Sequence, residues 1–309
     1  MVQERPRILV TGTTGQVGAK LALHLRQYGE IITASRDGRD ADVAMDLCDE
    51  ASMVDVLRSV KAAIIVNPAA YTAVDKAEDE PELATQINAK APALIAREAH
   101  RSGATLIHYS TDYVYAGVGD EPVTESCEVA PPNTYGRSKA AGDAAIRATA
   151  ERHVILRTSW VFSDTGKNFV RTMLRLGTER KTLRVVADQI GAPTSADFIA
   201  RMTAEVVRRC LEPGTGAIYG TYHLTCAGAA SWHQFADEIF RQARGLGAEL
   251  LVERVEPIES SEYPTPAPRP KNSRLDTSKF VRTFGPSMRA WQDALAPVLA
   301  SLLAHDRKH

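Results

Sequence analysis

The chain has 309 residues, 44% of them apolar, enough to bury a large core in one α/β domain or in such a domain with a smaller lobe. Lysine and arginine total 37 against 38 acidic residues, a formal net charge of -1, so no broad basic surface for nucleic acid and no polybasic segment for a membrane is implied. Cys48, Cys127, Cys210 and Cys226 are far apart with no Cys-x-x-Cys, and no signal-like segment or apolar run of about 18 residues occurs, so a zinc knuckle, a disulfide framework, secretion and membrane insertion are not expected and a reducing cytoplasm is.

Residues 7–11 read as a buried strand that runs straight into Gly12-Thr-Thr-Gly15-Gln-Val-Gly18 and then an apolar helix over 19–28. A glycine-rich turn between a first strand and a helix lets backbone approach a pyrophosphate, whose charge rests on the helix N-terminus. A chance glycine turn is the bland alternative, but its position at the head of an α/β pattern favours dinucleotide binding. A second strand, 30–34, is followed by Ser35-Arg36-Asp37. A hydroxyl and a guanidinium suit a ribose 2′-phosphate, so NADPH is expected, with NADH also open because Asp37 stands one register on. Asp46-Leu47 precedes a helix over 51–60, and a strand over 62–66 ends in Asn67-Pro-Ala69-Ala70-Tyr71-Thr72, small residues that leave room at a strand's carboxyl end.

A long helix is expected over 81–102, with Leu83, Ile87, Leu94 and Ile95 facing a sheet, then a strand over 104–109 in which His108 reads as a packed core histidine. That strand delivers Ser110-Thr111-Asp112-Tyr113-Val-Tyr115 to the same edge. Residues 116–134 read as a loop, 135–146 as a helix, 153–157 as a strand ending near Trp160, then 168–176 as a helix and 183–186 as a strand. Helices over 195–211 and 231–245, a strand over 218–224, a proline-rich ordered connection over 256–270 and a last helix ending near Leu303 complete the chain. Alternating β and α units imply a doubly wound parallel sheet of Rossmann type. Arg269 and Arg274 are the local cations available to a second anionic ligand.

Tyr135 and Lys139 stand four apart, so on a helix they share a face and a phenol and an ammonium can serve one cleft. An ammonium about 4 Å from a phenolate is worth roughly 4 kcal/mol at an effective dielectric near 20. Such a neighbour is expected to bring tyrosine's pKa of about 10 toward working pH, where a general acid does best. Taken alone the pair is common on solvated helix surfaces; other stretches of the chain give it weight.

Together Thr11-Gly-x-x-Gly-x-x-Gly18, Ser110-Thr-Asp-Tyr-Val-Tyr115 and Tyr135-x-x-x-Lys139 resemble the extended short-chain dehydrogenase/reductases. Ala70-Tyr-Thr-Ala-Val-Asp-Lys-Ala-Glu78, Arg157-Thr-Ser-Trp-Val-Phe162, Asp188-Gln-Ile-Gly-Ala-Pro-Thr194, Tyr263-Pro-Thr-Pro-Ala-Pro-Arg-Pro270 and Asn272-Ser-Arg-Leu-Asp276 are similar to the dTDP-4-dehydrorhamnose reductase branch, in order over nearly the whole chain. The resemblance implies reduction of a 4-keto-6-deoxy sugar carried on dTDP, with hydride from NADPH or NADH. It implies Tyr135 as acid, Lys139 as its partner and ribose contact, and Thr111 where many relatives carry serine. Asp112, Tyr113 and Trp160 would meet the sugar, and Asn168 and Arg269 the nucleotide diphosphate. Gly12, Gly15, Gln16, Val17 and Gly18 would meet the cofactor pyrophosphate, Ser35 and Arg36 its ribose, Asp46 and Leu47 its adenine, and Ala69, Ala70, Tyr71 and Thr72 its middle.

Two departures stand out. The family commonly has an acidic residue after the second strand, where this chain has Ser35 and Arg36; and Lys20 stands where some members hold an acidic ligand for a divalent cation between subunits. No metal is expected, since a cation cannot ligate a cation; a homo-oligomer stays open. A cofactor-binding domain of residues 1–160 with part of 183–225, and a sugar-nucleotide lobe of about 161–182 and 226–309, are expected. Another 4-keto sugar-nucleotide reductase, an epimerase of the same fold and a non-catalytic nucleotide-binding subunit are the alternatives.

Overall fold

The structure, a computed structural model, describes residues 5–212, 214 and 218–306. The strands are β1 (Arg7–Val10), β2 (Glu30–Ser35), β3 (Val43–Ala44), β4 (Ile64–Asn67), β5 (Thr105–Thr111), β6 (His153–Thr158), β7 (Val161–Phe162), β8 (Thr182–Val186), β9 (Ile190–Gly191), β10 (Thr194–Ser195), β11 (Gly220–His223), β12 (Ala230–Ser231), β13 (Arg254–Ile258) and β14 (Asn272–Ser273). The helices are α1 (Gln16–Leu25), α2 (Glu50–Val60), α3 (Lys76–Asp79), α4 (Pro81–Thr85), α5 (Ala91–Ser102), α6 (Thr134–Thr149), α7 (Phe169–Glu179), α8 (Ala196–Leu211), α9 (Trp232–Gly245), α10 (Ser278–Phe284) and α11 (Trp291–Asp306).

Seven strands form one sheet in the order β11-β6-β5-β4-β1-β2-β3, every pair parallel. Parallel strands are buried on both faces, and β1 obeys this residue by residue: Ile8 and Val10 join one core cluster and Leu9 the other. The doubly wound Rossmann-type sheet expected from the alternating pattern is the one observed. The chain winds outward from β1 to β3 and returns to β4 on the other side of β1, so the switch point opens at the carboxyl ends of β1 and β4. Gly12 and Ala69 follow those ends.

The expected single helix over 81–102 is one helical rod with a fault in it. Between α4 and α5 the residues Gln86–Lys90 form a π-helical turn, and Pro92 stands in the first turn of α5. Proline has no N–H to give to a preceding carbonyl, and the widened turn sets Asn88 inward, where its amide bonds Tyr71 N and O and Ser138 Oγ. The head of the proline-rich run is a strand: β13 pairs in parallel with β8 over five residues, Arg254 to Ile258 against Thr182 to Val186. This pair, the sheet β12-β9-β14 and the pair β10-β7 lie outside the main sheet. α9 packs on α7, α11, β8 and β13.

The proline-rich segment is tied down from both sides. Asn133 Nδ2 donates to Pro268 O at 2.8 Å, and Arg269 pairs with Asp75 at 2.7 Å. Among the described residues no helix is long and apolar enough to cross a membrane, and the four cysteines are free thiols, Cys48 and Cys127 exposed, Cys210 and Cys226 buried.

Candidate active site

The glycine turn leaves β1 through Gly12, whose φ of 56° lies in the left-handed region. A Cβ there would stand 2.9 Å from both Cα and Cβ of Ala69, so only glycine lets the two carboxyl ends close on each other. Gly15 caps α1 without a side-chain hydrogen bond, and no acidic residue stands in that helix's first turn. A helix start with neither a capping side chain nor a carboxylate suits an anion, so the turn formed by Gly12, Gly15, Gln16, Val17 and Gly18 fits a dinucleotide pyrophosphate.

At the end of β2 the two residues read as ribose contacts part company. Ser35 is buried and gives its hydroxyl proton to Arg39 O at 2.9 Å, whereas Arg36 is exposed. Asp37 is held by Arg39, whose backbone N–H and guanidinium both keep its carboxyl below the usual range. Asp46 accepts from Cys48 N, and Leu47 is buried beside it. Past β4, Tyr71 is fixed through its backbone by Asn88 and through its phenol by Glu80 at 2.6 Å; burial first, then Glu80, pushes that phenol up to about 12. Thr72 is exposed.

The chemistry-bearing residues meet where β5 ends against α6. Asn133 caps α6 by accepting from Gly136 N, and Glu78 accepts from both N and Oγ1 of Thr134, so two fixed points orient the helix start. Tyr135, Lys139 and Asp143 then fall on one stripe at successive turns. Lys139 is 2% exposed. Its ammonium donates to Tyr109 O at 2.6 Å and stands 3.0 Å from His108 Nε2. Burial lowers Lys139 to about 8, Asp143 opposing; burial and the nearby ammonium hold His108 well below its ordinary value. The histidine read as core packing is fully buried and also a partner of Lys139.

One expectation is overturned. Tyr135 is raised, not lowered: burial dominates, the neighbouring Thr111 hydroxyl opposes it, and the nearby Asp112 adds to it. The ammonium does not offset the burial: two of its three protons are turned to β5, to Tyr109 O and His108. Thr111 donates to Asp112 Oδ1 at 3.0 Å and accepts from Tyr113 N. Asp112 is 3% exposed and its Oδ2 has no hydrogen-bond partner; burial lifts its carboxyl to about 6, the Ser273 and Thr111 hydroxyls opposing. The rings of Tyr113 and Tyr135 meet edge to face at 5.7 Å, and the Arg269 guanidinium lies 5.8 Å from the Tyr113 ring centroid. Burial pushes Tyr113 up to about 12, Arg269 opposing. Thr111, Asp112, Tyr113, Tyr135 and Arg269 are thus a contiguous set.

Trp160 and Asn168 belong to other contacts. Trp160 has a φ of 48° and stacks on Trp232. Asn168 caps α7 by accepting from Arg171 N and donates to Gln16 Oε1 at 3.0 Å and Ser163 O at 2.8 Å, which ties it to the glycine turn. Lys20 pairs with Asp164 at 2.7 Å, and no cluster of three or more metal-ligating side chains occurs among the described residues. Sequence reading passed over Asp143, Arg157 and Trp232. Asp143 and Arg157 are a buried ion pair at 3.0 Å behind Lys139; the one sequence signal was Asp143 standing one further turn along the Tyr135 stripe.

Residues 6–304 match the family model of the RmlD substrate binding domain. The dTDP-4-dehydrorhamnose reductase of Salmonella typhimurium is 42% identical over 295 residues, covering 96% of this chain and 97% of the relative. That of Burkholderia thailandensis is 41% identical over 302 residues, covering 96% and 99%. Among solved structures, a dTDP-4-dehydrorhamnose reductase of Clostridium acetobutylicum superposes with a TM-score of 0.87 at 36% identity, covering 96% of this chain and 99% of that one. The Bacillus anthracis reductase in complex with NADP superposes at 0.86 with 34% identity and the same coverage. With a family model and close relatives both spanning nearly its whole length, the chain belongs to the dTDP-4-dehydrorhamnose reductase family, that of the RmlD substrate binding domain.

Proposed function

We propose that the protein reduces the 4-keto group of dTDP-4-dehydro-6-deoxy-L-mannose to the alcohol of dTDP-L-rhamnose, using NADPH, with NADH as a second donor. The observation that carries this reading is the contiguous set of Thr111, Asp112, Tyr113 and Tyr135 above buried Lys139, in a chain 42% identical to a named reductase. Gly12, Gly15, Gln16, Val17 and Gly18 hold the pyrophosphate, Arg36 reaches the ribose 2′-phosphate, and Asp46, Leu47, Ala69, Ala70, Tyr71 and Thr72 line the rest of the cofactor. When bound, the dihydronicotinamide supplies the hydride that the ketone carbon takes up.

Tyr135 gives its proton to the ketone oxygen as negative charge develops there, and Thr111, whose one hydroxyl proton rests on Asp112 Oδ1 in the free protein, turns it to that oxygen. A raised phenol pKa suits this direction: the group stays protonated across neutral pH, yet an alkoxide is far more basic than a phenolate. Lys139 serves the cofactor ribose with the proton that β5 leaves free. Asp112 offers its free carboxylate oxygen to a sugar hydroxyl, Tyr113 and Trp160 border the ring, and Arg269 and Asn168 serve the diphosphate. Residues 1–160 with α8 and β11 form the cofactor domain, and 161–182 with 226–309 the sugar-nucleotide lobe. The protein works in the cytoplasm as a homo-oligomer-competent subunit, without metal.

The decisive experiment incubates the purified protein with NADPH and the dTDP-linked 4-keto sugar and identifies the product by NMR. Stoichiometric loss of the dihydronicotinamide absorbance with formation of the rhamnosyl nucleotide is expected. Formation of the 4-epimeric alcohol would assign a sister reductase, and an absence of oxidised cofactor would return the protein to the binding-subunit class.

A further inference from the structure

Beneath the cleft a buried chain of side chains runs from α6 across the sheet: Lys139 Nζ, His108, Asn67, Thr11. Lys139 Nζ stands 3.0 Å from His108 Nε2, the Asn67 amide nitrogen 3.1 Å from His108 Nδ1, and Asn67 Oδ1 2.6 Å from Thr11 Oγ1. All four residues are 2% exposed or less. The last of them adjoins Gly12 of the glycine turn.

An ammonium has three protons and no lone pair. Tyr109 O takes one proton, at 2.6 Å; His108 Nε2 is in place for a second, leaving one for the cleft. Nε2 accepts only if the imidazole is neutral with its proton on Nδ1. Nδ1 then needs an acceptor, and Asn67 provides one, through its backbone carbonyl beside the ring or through its carboxamide turned oxygen-first. A proton on Nε2 would instead meet the lysine, which must then be a neutral amine. The tautomer of one ring is thereby locked to the charge on Lys139.

From this the geometry assigns His108 as a positioning residue: with Asn67 behind it, it holds Lys139 in the charged form, one proton spent on the ring and one on Tyr109, so that the third is aimed into the cleft. This rests on the role given to Lys139 above. The surroundings favour the charged lysine. Asp143 lies one turn along α6, and Arg157 on β6 is paired to that carboxylate at 3.0 Å. Tyr135 stands one turn back, with Tyr109 and Asp112 on and after β5. Neither ring nitrogen of His108 has an aqueous partner to charge it, since the residue is 0% exposed.

The test combines long-range proton–nitrogen NMR of histidine-labelled protein with pH–rate profiles. His108, identified by its absence in His108→Gln, should show a neutral ring with the proton on Nδ1 from pH 5 to 8, and the signal should move in Lys139→Met. Removing the acceptor in His108→Leu should shift the alkaline limb of kcat down by about one to two pH units, the worth of a hydrogen bond to a charged group. His108→Gln, which keeps an acceptor, should recover most of the shift. A ring protonated on Nε2, or one titrating near its ordinary value, overturns the proposal; so does an unmoved limb in His108→Leu when Lys139→Met is inactive. Full turnover in Lys139→Met instead overturns the lysine's part in the reaction, and with it the functional half of this assignment.

Discussion

Trp160 lies flat against Trp232, ring centroids 3.5 Å apart and planes 8° apart, although one sits in the bend between β6 and β7 and the other opens α9, far apart in sequence. Trp160 holds a left-handed φ of 48°, which costs a bulky residue roughly 1–2 kcal/mol. Two features offset the cost. Gly191 leaves the space its indole fills, since a Cβ there would stand 2.5 Å from Trp160 Cε2, and Trp232 is itself backed by Phe169 at 4.7 Å and anchored through Nε1 to Gln189 at 3.2 Å. If Trp160 borders the sugar, Trp232 sets its pose. Trp232→Leu should raise KM for the sugar nucleotide by about 2- to 12-fold, the worth of an aromatic pair, with kcat and NADPH affinity near normal. Steady-state kinetics with varied sugar nucleotide would show it; an unchanged KM would leave Trp232 as packing only.

Tyr135→Phe should bind NADPH normally and lose about 10²- to 10⁴-fold in kcat, the span of a positioned acid. The ring is retained, so its edge contact with Tyr113 persists and the fold should hold. Cofactor affinity measured by fluorescence titration alongside turnover separates the two effects; wild-type turnover would remove the phenol from the mechanism.

For Arg36→Ala the affinity for NADPH should fall by about 10-fold or more, as for loss of a charge-assisted hydrogen bond, and that for NADH by little. Ser35 spends its proton on Arg39 O, so the proposed discrimination at this position falls to the guanidinium. Equal Kd changes for the two coenzymes would make Arg36 a solvated surface residue.

What could be read from sequence was whatever is contiguous. The β1–glycine turn–α1 unit, the Thr111–Asp112–Tyr113 run and the four-residue step from Tyr135 to Lys139 each declare their geometry within a few residues. Contacts made by folding did not show: His108 meeting Lys139, Trp232 under Trp160, and Asp143 paired with Arg157 all depend on which elements pack together. The direction of the Tyr135 shift was misread for the same reason. Helical spacing puts the ammonium on the right face, but only the packed sheet reveals that Tyr109 O and His108 claim its protons while burial raises the phenol. The π-helical turn at Gln86–Lys90 escaped because the contacts it serves, Asn88 to Tyr71 and Ser138, are tertiary.

Asp112 offers a test in which stability and function pull in opposite directions. Burial lifts its carboxyl from 3.8 to about 6. The native state therefore holds more protons than the unfolded chain between those values, and stability falls as pH rises through that window. The cost is complete above the native pKa and absent below the unfolded one; at 1.36 kcal/mol per pKa unit it is about 3 kcal/mol. Asp112→Asn keeps the shape and removes the charge, so the variant should be more stable than wild type at pH 8, by up to that amount, with the advantage shrinking toward zero by pH 4. Urea denaturation at the two pH values measures the difference, and a stability gain independent of pH would show that the carboxylate is not charged in the native site. The same variant loses the free Oδ2 acceptor, so its KM for the sugar nucleotide should rise as its stability does, the pairing expected of a charge kept in a dry site for a ligand's hydroxyl.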